Sequence, residues 1–168
     1  MKSHLIIVIY LFFITSFVYA NENESNNISI SENFNEWQYF CSDKNLEASC
    51  EIRQFAYDSE TKELLSLISF TLNPENRIQI LVGLPHLVDL KKLVNISIDN
   101  QNKVEANYAY CDPNACYLAE VLSKDYLNLL KQGNLIDLTA SIINKTTITV
   151  QFSLKGFTAA HKKLLANL

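Results

Sequence analysis

From Glu36 onward one pattern dominates the chain: short runs in which apolar and polar residues alternate with a period of two. A strand turns successive side chains to opposite faces, so such runs describe sheets with one buried face and not helices. Val94, Ile96 and Ile98 alternate with Asn95, Ser97 and Asp99, and the polar turn Asn100-Gln101-Asn102 leads into Val104, Ala106, Tyr108 and Tyr110, which predicts a hairpin. Trp37 and Tyr39 share a face ahead of Cys41, while Ile52 and Gln54 oppose Arg53 and Phe55 after Cys50. Tyr117, Ala119 and Val121 carry the alternation beyond Cys116. Ile136, Leu138, Ala140 and Ile142 form one late run and Ile148, Val150, Phe152 and Leu154 another, with Asn144-Lys145 as the turn between them. Leu64 to Leu72 and Ile78 to Val82 are almost unbroken apolar runs, the mark of central strands covered on both sides.

Two stretches leave this period. Ser123 stands where it caps a helix that has Asp125 in its first turn, Tyr126, Leu127 and Leu130 on its apolar side and Gly133 at its stop. After Gly156, the residues Phe157, Ala160, His161, Leu164 and Leu165 recur at helical spacing, which predicts a terminal helix against the sheets. About nine short strands and two short helices, with no βαβ repeat, predict a mostly β fold, either an antiparallel β-sandwich or a partly closed barrel. Residues 36–168 have the length of a single domain. Residues 21–35 are rich in Asn, Glu and Ser and read as a flexible N-terminal arm. Residues 1–20 have Lys2, an uncharged apolar run from Leu5 to Val18 and then Val18-Tyr19-Ala20, the outline of a secretory signal peptide cut after Ala20. That run is shorter than the roughly 20 apolar residues that cross a bilayer, and an uncleaved anchor is the rival reading. After cleavage no stable membrane span is expected.

Export brings the four cysteines into an oxidising compartment. Four cysteines admit three pairings, and proximity favours Cys41 with Cys50 and Cys111 with Cys116. On the chain-entropy model each such short loop contributes roughly 2–3 kcal/mol. A zinc site would need both pairs brought together, and neither spacing is that of a zinc knuckle or of a C-x-x-C redox dithiol. No metal and no cofactor are expected.

Little catalytic chemistry is written in the remainder. Beyond residue 20 the histidines are His86, read as structural or simply exposed, and His161, read as a partly covered surface residue beside the terminal apolar stripe. Neither belongs to a recognisable triad motif. Asp99, Asp112 and Asp137 fall in turns or on polar strand faces, where Asp serves local hydrogen bonding. With Gly83, Gly133 and Gly156 as its only glycines, the chain has no phosphate-binding loop. Its net charge is −4, one unit more negative once Lys2 is removed, and a nucleic-acid partner is not expected of such a chain. Trp37, Tyr39, Phe40, Tyr108, Tyr110 and Tyr117 gather near the cysteines in sequence, as core residues first and as a ligand face second.

The order of features from Trp37 to Leu164 resembles the invasion-associated locus B family of exported alphaproteobacterial proteins. It runs through Trp37 ahead of Cys41, Leu84-Pro85 with Val88 and Leu90, the strand from Val94 to Asp99, Tyr108-Ala-Tyr-Cys111, and Cys116-Tyr-Leu-Ala119. It continues with Lys131-Gln-Gly133 and with Ser153-Leu-Lys-Gly-Phe157 followed by Ala159, Ala160 and Leu164. The family pattern has glycine where this chain has Ala115, and glycine after the Leu-Pro segment, where this chain has His86, Leu87 and Leu93, so turns of different shape are expected there. The resemblance implies an exported, non-enzymatic protein, periplasmic or at the cell surface, that acts through protein or cell-surface contact in the bacterial envelope or with a host cell. It carries over no catalytic residue. The alternative is a domain that binds or hydrolyses envelope saccharide through aromatic and carboxylate side chains, with Trp37 and Tyr110 as its platforms.

Overall fold

A computed structural model describes residues 29–42, 50–144 and 146–166. The predicted signal peptide and the first part of the arm lie outside these residues. The described chain forms two open antiparallel sheets packed as a sandwich. The larger contains β1 (Ile30–Phe34), β2 (Trp37–Cys41), β3 (Cys50–Tyr57), β4 (Leu64–Leu72), β5 (Ile78–Leu84), β8 (Tyr110–Cys111) and β9 (Cys116–Val121), in the order β1-β2-β3-β4-β5-β9-β8. The smaller runs β11-β10-β6-β7, from β6 (Val94–Ile98), β7 (Gln101–Ala106), β10 (Leu135–Ser141) and β11 (Thr147–Ser153). The apolar runs at β4 and β5 lie inside the large sheet, with strands on either side of each.

Alternation decides which side chains enter the core. Trp37, Tyr39 and Cys41 of β2, Ile52 of β3, Ile68 and Phe70 of β4 and Ile80 and Val82 of β5 are buried. Val94 and Ile96 of β6, Ile136 and Leu138 of β10 and Val150 and Phe152 of β11 are buried from the small sheet. The last helix, α2 (Phe157–Leu165), closes one end of this core. Phe157 sits 5.2 Å from Trp37 and 5.0 Å from Phe70, ring centre to ring centre, with the pairs edge to face. That geometry sets the positive rim of one ring on the negative face of the next. Trp37 also donates its indole N–H to the carbonyl of Ser153 at 2.8 Å, tying β2 to β11.

Helix α1 (Lys124–Gln132) starts and stops at its sequence signals. Ser123 accepts from the Tyr126 N–H at 3.2 Å, and the Gly133 N–H returns to the carbonyl of Leu129. Replacing Ser123 by Ala leaves that N–H without its side-chain partner. The expected loss is about 1 kcal/mol, seen as a fall in Tm of roughly 2–4 °C in thermal unfolding by circular dichroism.

Several expectations are corrected. Ile30–Phe34 lies in the stretch read as a flexible arm, yet it forms edge strand β1, paired with β2 from Ile30 opposite Cys41 to Phe34 opposite Trp37. Its side chains are mostly exposed, so what fixes it is backbone pairing, to which composition is blind. The hairpin of β6 and β7 turns at Asp99 and Asn100, both at positive φ, and its second strand ends at Ala106. Tyr110 crosses to the large sheet, guided by the Ala109 N–H bonding the carbonyl of Tyr117 at 2.7 Å. In β9 the core-facing residues are Cys116 and Leu118, so Tyr117, Ala119 and Val121 belong to the opposite face. Ala115, His86, Leu87 and Leu93 all keep negative φ, so the turns there form without the left-handed geometry that favours glycine.

Candidate functional site

The register of the large sheet brings together, on its outer side, residues that are far apart in sequence. Phe55 opposes Leu67, Leu67 opposes Gly83, Gly83 opposes Tyr117, and Tyr117 opposes Tyr110. The adjacent row is Gln38, Arg53, Ser69, Leu81 and Ala119, and the next is Phe40, Glu51, Thr71, Gln79 and Val121. Helix α2 packs on the other side of this sheet, through Phe157 against Trp37 and Phe70.

The outer face is low in its middle and aromatic at its ends. In that middle Ser69 and Gly83 are buried beneath their neighbours and Ala119 is half-buried. A Cβ at Gly83 would come within 3.0 Å of the Tyr117 ring and 3.3 Å of Leu67, so glycine allows those two side chains to close over the row. At one end the Arg53 guanidinium lies 3.8 Å from the centre of Phe40 and 5.2 Å from that of Phe55. Arg53 also donates to Gln38 at 2.8 Å and pairs with Glu51 at 3.0 Å, which holds the cation beside the two rings. Tyr57, exposed, lies beyond Phe55 with its ring 6.4 Å away. At the other end Tyr110 stacks on Tyr117 with ring centres 5.0 Å apart, and Tyr110 is 50% exposed.

Both disulfides reinforce this sheet. Cys41–Cys50 joins directly opposed residues of β2 and β3, and Cys111–Cys116 joins directly opposed residues of β8 and β9. The second fixes the short strand that carries Tyr110. Asp112 finishes the same turn, accepting from the Asn114 N–H at 2.7 Å and the Ala115 N–H at 3.0 Å. These bonds from Ala115 and Asn114 hold its carboxyl below the usual carboxylate range. Desolvation, with Asp112 and Tyr110 nearby, pushes the Tyr117 hydroxyl up.

The other sequence candidates are structural or separate. Trp37, one of the expected saccharide platforms, is 1% exposed and belongs to the core. His86 donates from Nε2 to the Asp112 carbonyl at 2.7 Å and so braces the β8–β9 turn. Asp99 accepts from the Leu135 N–H at 2.9 Å and the Asn134 N–H at 3.1 Å, joining the β6–β7 turn to β10. Asp137 is buried and accepts from Gln151 at 2.6 Å. His161 is not a partly covered surface residue: it is 4% exposed, because α2 turns it toward α1 and the apolar floor there. Burial, then the charge of Lys131, pushes its imidazole down to about 4. Thus Cys41, Cys50, Cys111 and Cys116 all serve in cross-links, while Phe55, Tyr57 and Leu67 make a surface that no sequence motif announces.

Residues 37–165 match the sequence model of the family described as Invasion associated locus B (IalB) protein. No curated protein matches the chain significantly. Among solved structures, the crystal structure of invasion associated protein B from Bartonella henselae superposes with a TM-score of 0.72 at 20% sequence identity, covering 82% of this chain and 96% of that one. At that identity the likeness establishes the shared fold, while the family match spans the sandwich from β2 to the end of α2. The chain therefore belongs to the invasion associated locus B family.

Proposed function

We propose that the chain is an exported, non-enzymatic contact protein that presents the outer face of its seven-stranded sheet to a protein of the bacterial envelope or of a host-cell surface. The observation that carries this reading is the face itself: a row from Phe55 through Leu67 and Gly83 to Tyr117 and Tyr110, in which Gly83 and Tyr117 are buried beneath their neighbours and Phe55 and Tyr110 stand exposed at the two ends. Aromatic and Arg side chains held rigidly by neighbours lose little conformational freedom on docking and suit the centre of an interface. Arg53 is held beside two rings, and Tyr110 is held by a stack and an adjacent disulfide. Two disulfides fit an extracytoplasmic protein. Against acid–base chemistry, the His86 ring is taken up by a backbone carbonyl and His161 is buried.

A second reading has one observation in its favour. The exposed face of Tyr110, stacked flat on Tyr117 beside the Asp112 carboxylate, suits a sugar ring of an envelope saccharide.

Site-specific photocrosslinking in cells decides the matter, with the probe placed at Tyr57 or at Tyr110 and, as control, at Lys103 on the exposed edge of the small sheet. Discrete protein adducts are expected from the first two positions and none from the third. The double substitution Tyr57→Asp with Tyr110→Asp should weaken capture of that partner at least tenfold without changing Tm. Equal adducts from all three positions would remove the outer face from the account. Saturable glycan binding lost in Tyr110→Ala, with no protein adduct, would select the saccharide reading.

A further inference from the structure

Behind the sandwich, α1, α2 and the start of β5 enclose a groove with a cavity volume of about 280 Å³. Its floor is apolar, with Leu122, Leu127 and Leu165 among the residues lining it. All of its charged lining residues are basic: Arg77, Lys124 and Lys131. Arg77 is already paired with Glu75 at 2.6 Å, whereas Lys124 and Lys131 make no ion pair among the described residues. His161 lines the same groove, buried, and its Nε2 has no hydrogen-bond partner among the described residues. A buried polar atom left without a partner costs free energy, and a cavity that mixes apolar walls with one such atom and unpaired cations has the composition of a ligand site.

We propose that this groove binds a single-chain amphiphile with an anionic head, the alkyl chain lying on Leu122, Leu127 and Leu165 and the head held by Lys124 and Lys131 with a hydrogen bond from His161. Chain length follows from volume. An apolar cavity of about 150 Å³ accommodates benzene, so this groove accommodates about eleven heavy atoms, a medium-length carboxylate or the near-head part of a longer chain. The sign of the head follows from charge: a cationic head would face Lys124 and Lys131 with no carboxylate among the lining residues. An imidazole kept uncharged by burial donates from Nε2 when Nδ1 is unprotonated, which matches an oxygen acceptor. The site is on the side of the molecule served by α1 and α2 and does not depend on the outer-face reading.

The test uses the purified chain with both disulfides formed, titrated with sodium decanoate below its micelle concentration and followed by calorimetry and by the ¹H–¹⁵N signals of the His161 ring. The expected result is saturable one-to-one binding, a shift of the His161 ring signals, and at least a tenfold loss in the variant carrying Lys124→Glu and Lys131→Glu. Lys124 is exposed and Lys131 is half-buried in the last turn of α1, so the Tm of that variant is measured beside its binding, and Phe55→Ala on the outer face should bind as wild type. A parallel titration with phosphatidylglycerol vesicles assigns the source of the head. Binding to vesicles and not to decanoate, even if lost in the same lysine variant, is adsorption of surface cations to an anionic bilayer and overturns the single-chain site. Equal binding of decyltrimethylammonium, binding unchanged in the lysine variant, or no binding of either probe overturns the proposal.

Discussion

Phe157→Ala is expected to lower stability by about 4 kcal/mol, within the range measured for truncating a buried aromatic. The side chain is wholly buried between Trp37 and Phe70 and is in edge contact with both rings, so its removal deletes two ring pairs and leaves a cavity. Trp37 cannot move far to fill that space, because its N–H is held at 2.8 Å by Ser153 on the opposite sheet. For a chain of this size the loss corresponds to a fall in Tm of roughly 8–16 °C. Phe157→Leu preserves most of the volume and should cost less than about 1.5 kcal/mol. Phe55→Ala, at a half-open position on the outer face, is the control for losing a ring without losing core and should change stability by about 0.5 kcal/mol or less. Chemical denaturation of the three variants checks the ranking. A Phe157→Ala loss no greater than that of Phe55→Ala would mean that α2 is not the lid of this core.

How much of this was legible in the sequence depends on whether a residue's role is set by its neighbours in the chain or by its partners across the sheet. Alternation gave the correct buried face for Trp37 and Tyr39, for Val94, Ile96 and Ile98, and for Ile136, Leu138 and Ala140, because period two maps directly onto one face of a strand. Ser123 and Gly133 marked α1 because capping is local chemistry. Three things were not legible. Strand β1 pairs through its backbone and hides behind a polar composition. In β9 both alternating sets are rich in apolar residues, and only the pairing of Leu118 with Val82 settles which one faces the core. The phase of β9 also decides the candidate site, since it sends Tyr117 outward to meet Tyr110. The aromatics that looked like one group by sequence divide accordingly, Trp37 and Tyr39 into the core and Tyr110 to the surface. Phe55, Leu67 and Gly83 lie on three different strands, and register alone makes them neighbours. His161 follows the helical spacing of its apolar neighbours, and its burial comes from α1 packing nearby, which the pattern of α2 alone does not contain.

Gly156→Ala is expected to destabilise the chain by about 3 kcal/mol through two separable effects. Gly156 precedes α2 with φ 95° and ψ −13°, a left-handed conformation that costs an L-residue roughly 1–2 kcal/mol. Its Cα also lies directly under the end of β1: an added Cβ would collide with the carbonyl oxygen of Phe34 and come within 2.8 Å of its carbonyl carbon and 3.1 Å of the Asn35 Cβ. Backbone atoms cannot rotate aside as a side-chain tip can, so either β1 and its turn lift away or α2 shifts and pulls Phe157 from the Trp37 and Phe70 rings. Gly156→Asn separates the causes, since Asn tolerates the left-handed conformation better than Ala but brings the same Cβ. If φ dominates, Asn should recover about 1 kcal/mol relative to Ala; if the collision dominates, the two variants should be equally unstable. Hydrogen exchange locates the response. Faster exchange confined to the amides of Ile30–Phe34 would mean that β1 yields and the core is spared, whereas faster exchange at the buried strands β2 and β4 as well would mean that the collision reaches the core through α2. Because β1 is an edge strand with mostly exposed side chains, paired to β2 alone, while α2 is anchored by a fully buried ring, the first outcome is the expected one.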